Sequence, residues 1–301
     1  FRSERVDTHG VSLRIYIKKD KKIKIEKSVK KMLQEEEDFG IKKLKTYKTF
    51  GEKVKDRAES FKNFEVVLVD DGSTDNTISI AKKFKQQKKL KIKIIELLHK
   101  SSPARSRNVG ILNSKGKYIC FLDADDLFLK NKLFELNKTI KFNNLDVYYH
   151  NVILKHKKSN LISKNIDKKN PFKDLIFSEN KIVLSSSCVK KSFLIKKKIR
   201  FNENKKLISV EDYDFWLQIA SLDGSFLLIN KILGIYNLND ASISKNRSVH
   251  FLNTMYLLDR YKKYLVKDKA NYFMRKIKII LSFAKISFSE NNYYFFLTLI
   301  K

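Results

Sequence analysis

Phe64-Glu-Val-Val-Leu-Val-Asp-Asp-Gly-Ser-Thr-Asp-Asn-Thr77 is an apolar run that stops abruptly at two carboxylates, and Tyr118-Ile-Cys-Phe-Leu-Asp-Ala-Asp-Asp126 repeats the pattern further along. Short apolar runs rich in Val, Ile and Phe, without polar alternation, suit strands buried on both faces of a parallel sheet. Ligands of such sheets gather just beyond the carboxyl ends of the strands. Asp70, Asp71, Asp123 and Asp125 emerge there. The two stretches therefore predict an α/β fold.

Working outward, Glu65 to Val69 reads as a strand and Thr77 to about Gln86 as a helix. Between them Gly72 permits a positive φ, and Asp75 or Thr74 can cap the helix. Leu90 to Leu97 reads as the next strand. Ser101-Ser-Pro-Ala-Arg-Ser-Arg-Asn-Val-Gly110 enters a helix that ends near Lys115-Gly116. The strand Tyr118 to Leu122 then delivers Asp123-Ala-Asp125, and the period of two in extended chain puts both carboxylates on one side. Such a pair offers hard oxygen ligands of the kind Mg²⁺ and Mn²⁺ take together with substrate phosphates. An acidic triplet at a strand end can also be an ordinary turn, and Asp126 is expected to cap the helix that follows.

Pro171 to Phe177 reads as a short helix, and another begins near Lys191. Ser185-Ser-Ser-Cys188 suits a polar strand or loop, or hydrogen bonds to a ligand hydroxyl. In Ser209-Val-Glu-Asp-Tyr-Asp-Phe-Trp-Leu-Gln-Ile-Ala220, the residues Phe215, Trp216, Ile219 and Ala220 make a helical apolar face. Glu211 and Asp212 fall in its first turn, where carboxylates also suit the helix dipole. After about residue 248 the chain turns helical, aromatic and basic. Such helices lie on anionic membranes or pack against a domain.

At 301 residues the chain can bury a core, and with 43% hydrophobic and 12% aromatic residues it reads as globular. No uninterrupted apolar stretch reaches the ~18 residues of a membrane-spanning helix; Tyr293 to Ile300 is the best candidate and is far shorter. No secretory signal is recognised, and Phe1 rather than Met opens the sequence. Cys120 and Cys188 have neither metal-cage nor disulfide-framework spacing, which fits a reducing cytoplasm. Five histidines are too dispersed to make a site by themselves. The net charge of +31, spread along the chain, reads as a solvated lysine-rich surface or as attraction to an anionic partner.

Four elements taken together, Asp70 to Thr77, Arg107-Asn-Val-Gly110, Asp123-Ala-Asp125 and Glu211-Asp212, follow the order and approximate spacing of the family 2 glycosyltransferases, which the chain resembles from about 64 to 245. The resemblance implies the GT-A fold, a mostly parallel central sheet flanked by helices, here with a helical C-terminal tail. It implies inverting transfer of a sugar from a nucleotide-sugar, a UDP-sugar being the expected donor, to an acceptor hydroxyl in bacterial-type surface polysaccharide or lipo-oligosaccharide assembly.

By the same resemblance Asp212 is the general base, with Glu211 second and Asp214 third. Asp71, Asp70, Arg107 and Asp123 serve the nucleotide, and Asp125 with Asp123 serves a divalent cation, Mn or Mg. Arg107 either approaches the diphosphate or pairs with a carboxylate to brace the loop. The expected organisation is a divergent nucleotide-side segment over 1–63, a catalytic core over 64–247 and a basic, aromatic tail over 248–301. Expected partners are the nucleotide-sugar, a glycan or lipid-linked acceptor and an anionic membrane surface, with the protein cytoplasmic and peripheral on the inner face. No specific nucleic acid is expected.

Two departures from the family stand out. The Pro-x-Tyr-Asn loop that normally follows the first strand is missing, since no proline precedes Pro103, and Tyr16 is a weak stand-in. Where the family often places a metal-binding His, this chain has Asn239 in Tyr236-Asn-Leu-Asn-Asp-Ala-Ser242, with Asp240 beside it. The competing readings are a non-catalytic remnant of the fold and a basic nucleic-acid-binding protein, which lacks any recognised DNA- or RNA-reading motif.

Overall fold

The computed structural model describes residues 2–7, 11–16, a few positions between 27 and 38, and then 64–87, 91–99, 102–155, 159–161, 163–237 and 247–289. The chain divides into two compact units, Phe1–Lys62 and Asn63–Lys301. In the first, strands β1 (Arg2–Asp7) and β2 (Val11–Tyr16) form an antiparallel pair. Tyr16 closes β2; its side chain, most of Ile25 to Glu37, where Lys and Glu alternate around Val29, Met32 and Leu33 in a rhythm that predicts a helix, and Asn239 and Asp240 lie outside the described residues.

The second unit opens with a βαβ arrangement. Strand β3 (Val66–Asp70) pairs in parallel with β4 (Ile92–Glu96), and helix α1 (Thr77–Gln87) makes the crossover that parallel neighbours require. Asp75 Oδ1 accepts the Thr77 amide at 2.9 Å at the start of α1. Helix α2 (Pro103–Asn113) starts with proline at its first turn, where the missing N–H leaves no gap, and Ser102 as N-cap. The turn after it is tied to the start of β3, because Glu65, the residue before that strand, accepts through Oε1 the amides of Lys115 and, at 2.9 Å, Gly116.

Six strands make the larger sheet: β5 (Tyr118–Cys120), β6 (Leu127–Phe128), β7 (Val147–Leu154), β8 (Ser159–Leu161), β9 (Cys188–Lys190) and β10 (Phe226–Tyr236). Their order is β5-β9-β7-β10-β6, with β8 also on β7. Among the described residues only β7 and β10 run parallel in this sheet; the pairings of β9 with β5 and β7, of β8 with β7 and of β6 with β10 are antiparallel. The sheet is thus mixed rather than mostly parallel. Apolar runs reveal two-sided burial but not direction, and short strands such as β6 and β9 return beside longer ones through loops no periodicity marks.

Helices α3 (Lys132–Phe142), α4 (Pro171–Phe177) and α5 (Lys191–Lys196) flank the sheet, and α6 (Glu211–Ser221) is the helix the core closes around. Phe215, Trp216, Leu217 and Ile219 are fully buried. Phe215 stacks on Phe201 at 4.0 Å, and Phe121, just beyond β5, meets both rings edge-on. Each such side chain contributes roughly 1.5–3 kcal/mol by leaving water. This packing fixes the first turn of α6 relative to the end of β5.

The C-terminal helices α7 (Arg247–Arg260) and α8 (Lys269–Ser289) follow. Leu257, Leu258, Tyr261 and Leu265 belong to the same buried cluster as α6. Phe251 and Phe283 form a satellite contact between α7 and α8 at 4.6 Å. No helix among the described residues is long and apolar enough to cross a membrane.

Candidate active site

At the end of β3 the two aspartates face different ways. Asp70 is buried, and its carboxylate accepts the amides of Gly72 (3.1 Å) and Ser73 (2.9 Å) and the Ser73 hydroxyl. The Ser73 hydroxyl holds the Asp70 carboxyl below its ordinary pKa. Asp70 therefore shapes the turn. Gly72 is required there: its φ is +82°, and a Cβ would meet His99 at 2.9 Å. Asp71 is partly exposed, with Arg105 of α2 at 3.7 Å and the His99 ring at 3.7 Å.

Two residues further along α2, Arg107 reaches two other elements. Its guanidinium donates to Asp123 Oδ1 at 2.9 Å and to Glu211 Oε1 at 2.7 Å, and lies 5.4 Å from the Phe201 ring centroid. Burial works against the charge, but the two carboxylates outweigh it and raise the guanidinium pKa. Asn108 clamps the adjoining loop by exchanging hydrogen bonds with both the carbonyl and the amide of Phe201. One helical turn thus touches Asp71 after β3, Asp123 after β5 and Glu211 at the start of α6.

The turn after β5 is built from behind. Asp123 donates its amide to Ser185 Oγ at 3.0 Å, and the Asp126 amide closes the turn onto the Asp123 carbonyl at 3.1 Å. Asp125 is exposed at the tip. Asp126 is not the cap of α3, whose N-cap is Asn131. It is buried instead, accepts the Asn237 amide at 2.9 Å, and its Oδ2 has no hydrogen-bond partner among the described residues. Strand β6 intervenes before α3, which is why local sequence misplaced this carboxylate. Burial raises the Asp126 pKa.

Ser185, Ser186 and Ser187 are buried too. The Ser186 and Ser187 hydroxyls bond to the carbonyls of Val183 and Leu184, both at 2.7 Å. None is presented as a wall for sugar hydroxyls.

Glu211, Asp212 and Asp214 occupy the first turn of α6, reached through Ser209, whose φ is +73°. They divide the work. Glu211 is bound to Arg107 through Oε1, while its buried Oε2 lacks a hydrogen-bond partner among the described residues. Asp214, fully buried, accepts from Tyr261 (3.0 Å) and Gln218 (2.8 Å) and lies 3.5 Å from Arg260, so it joins α6 to the end of α7.

Asp212 is half-buried; its Oδ2 accepts from Asn180 Nδ2 at 3.0 Å and its Oδ1 from the Tyr213 amide at 2.7 Å. Burial first, then the neighbouring Glu211, pushes its carboxyl up to about 7, against the pull of Arg107. Tyr236, at the end of β10, is pushed up to about 12 by burial and by the charges of Asp126, Asp212, Asp123 and Asp125. The acidic turn and the start of α6 therefore act on one neighbourhood.

Asn180 was missed in the sequence because a lone asparagine in a polar loop carries no signal. Its amide also receives the Ile182 N–H at 3.2 Å, which orients it toward Asp212. Lys132 was missed for the opposite reason, since it reads as one of many surface lysines yet has no exposed area.

Among the described residues no group of three or more His, Cys, Asp or Glu side chains could hold a metal ion. A cation at Asp123 and Asp125 would have to complete its shell with ligand phosphates. That donor set suits Mg²⁺ or Mn²⁺.

A mixed α/β sheet with acidic turns at the strand ends is the architecture of GT-A proteins, and known structures agree. The fold matches a crystal structure of Staphylococcus aureus TarS (residues 1–349, with UDP-GlcNAc) at a TM-score of 0.52, with 20% identity, over 73% of this chain and 63% of that one. The glycosyl transferase family 2 profile matches residues 47–212, and the chain belongs to that family.

An uncharacterized glycosyltransferase of Rickettsia conorii is 32% identical over 67% of this chain and 31% of its own length. The amylovoran biosynthesis glycosyltransferase AmsB of Erwinia amylovora is 28% identical over 80% of this chain and 83% of its own. The chain spans about a third or less of the rickettsial relatives it matches, at 31%, 12% and 10% of their lengths.

Proposed function

We propose that this chain transfers a sugar, with inversion, from a nucleoside diphosphate sugar to an acceptor hydroxyl in the assembly of a bacterial surface glycan. The observation that carries the reading is the Arg107 bridge, which holds the acidic turn after β5 against the first turn of α6. Family membership supports sugar transfer, and the names of AmsB and TarS, the latter a poly(ribitol-phosphate) β-N-acetylglucosaminyltransferase, support a surface polymer as the setting.

In this reading Asp71 takes the nucleoside, and Asp123 and Asp125 face the diphosphate. Asp70 and Arg107 serve the same site by holding its turns in place. Asp123 and Asp125 would hold a divalent cation, which when bound would supply charge neutralisation to the diphosphate. Asp212 removes the acceptor proton; the acceptor oxygen attacks the anomeric carbon opposite the diphosphate, which leaves with the bonding electron pair. The proton ends on Asp212, and one backside displacement inverts the anomeric centre. A base whose carboxyl titrates near neutrality suits this task. Asn180 orients it.

The net charge of +31 suits an anionic membrane face carrying a lipid-linked acceptor. Binding to anionic vesicles that weakens sharply from low to physiological salt tests that partner. The reaction itself is tested with a panel of nucleotide sugars in Mn²⁺ or Mg²⁺, reading nucleoside diphosphate release with and without acceptor glycans. Absence of release with every donor and acceptor, from protein shown to be folded, removes the transferase reading.

A further inference from the structure

Lys132 lies in the first turn of α3 with no exposed area. Its ammonium donates to the Ser185 carbonyl at 2.6 Å and stands 3.5 Å from the centroid of the Phe128 ring. Among the described residues it makes no ion pair. The charged or titratable groups around it are Cys120 on β5, Cys188 on β9, His150 on β7 and Asp126 before β6. Burial lowers its pKa to about 8, which leaves it largely charged at neutral pH.

A buried ammonium that makes no ion pair with the carboxylate nearby, Asp126, is a poor way to stabilise a core, because an apolar side chain of similar size fills the space without the desolvation cost. Stability therefore does not explain this lysine. The hydrogen bond from its ammonium does. Ser185 is held through its carbonyl by Lys132, and its hydroxyl accepts the amide of Asp123. Asp123 in turn is paired with Arg107, and Arg107 with Glu211. The lysine thus stands at the buried end of a line of contacts leading to both halves of the site.

We infer that Lys132 is a positioning residue for the donor-binding turn 123–126, acting through Ser185. The inference rests on the donor reading above only for what the turn binds; that the turn is held this way is a separate matter.

Lys132→Met, Ser185→Ala and the double variant test it, with Ser185→Thr as the change that keeps the hydroxyl. Hydrogen exchange of the Asp123 amide, measured without ligand, should quicken by roughly tenfold in both single variants, about the effect of one lost buried hydrogen bond. UDP binding in Mn²⁺ should weaken by a similar factor. The double variant should be no worse than Ser185→Ala within about twofold, because both changes cut one line, and effects on a shared line do not add.

Ser185→Thr should restore protection. Thermal midpoints should not fall in Lys132→Met. An Asp123 amide as protected in Lys132→Met as in the wild type overturns the inference, and so does a double variant in which the two effects multiply. If Lys132→Met fails to fold, unchanged Asp123 protection in Ser185→Ala overturns it alone. If wild-type protein binds no UDP, the donor reading falls while the exchange measurement still decides this one.

Discussion

Arg107 donates to Glu211 across 104 positions of sequence, at 2.7 Å, while its other terminal nitrogen holds Asp123. The guanidinium fork suits this double contact, and a lysine has no equivalent geometry. Arg107→Met leaves Glu211 buried with neither oxygen partnered. Removing one member of a buried charged cluster typically costs ~3–5 kcal/mol. Urea unfolding should show a loss of that order, with Arg107→Lys in between. Unchanged stability in Arg107→Met would mean the bridge does not bind the two halves together.

Asp125 is exposed at the tip of its turn, so Asp125→Ala should leave the thermal midpoint within about 2 °C, as surface changes usually do. Metal-dependent binding of UDP should be lost. Calorimetric titration with UDP in Mn²⁺ decides it, and wild-type affinity in the variant removes Asp125 from the site.

Asp214 makes the contrasting case. It is fully buried against Tyr261, Gln218 and Arg260, so Asp214→Asn, which puts an amide nitrogen where an oxygen accepts from one of these donors, should destabilise by ~1–3 kcal/mol. UDP binding by the folded fraction should be unaltered. A variant as stable as wild type but unable to bind nucleotide would shift Asp214 from the scaffold into the site.

Asp212 links function to stability with a definite sign. Its folded pKa, about 7, lies above the unfolded value near 3.8, so the folded state binds more protons between those limits. Stability therefore falls as pH rises from about 4 to about 7. Asp212→Asn escapes this loss and should be more stable than wild type above pH 7, by ~1–3 kcal/mol after allowance for water reaching a half-buried group. The gap should close below pH 4. A gap independent of pH would show that Asp212 does not titrate as its surroundings dictate.

What could be read from the sequence is what lies close along the chain. Strand-end carboxylates at Asp71, Asp123 and Asp125, and the acidic first turn at Glu211 and Asp212, are local patterns, and the elements carrying them form close to the expected bounds. Residues defined by distant neighbours were not legible. Lys132 and His150 are buried because β5, β7 and β9 close around them, which no single stretch reveals. Asp126 looked like a cap because the two-residue strand β6 is too short to leave a periodic signal. Asn180 acquires its role only once α6 brings Asp212 to 3.0 Å from it.

Whether Asp212 takes the acceptor proton is decided by steady-state transfer by Asp212→Asn beside direct measurement of donor affinity. The change is nearly isosteric and removes only the proton acceptor, so the donor's Kd should stay within about twofold. Turnover with a verified acceptor should fall by ~10²–10⁴-fold, the usual reach of a general base. Wild-type transfer should rise with pH through about 7 as this carboxyl ionises. Undiminished transfer by Asp212→Asn, with Glu211→Gln inactive, would exclude Asp212 as the base and assign that role to Glu211.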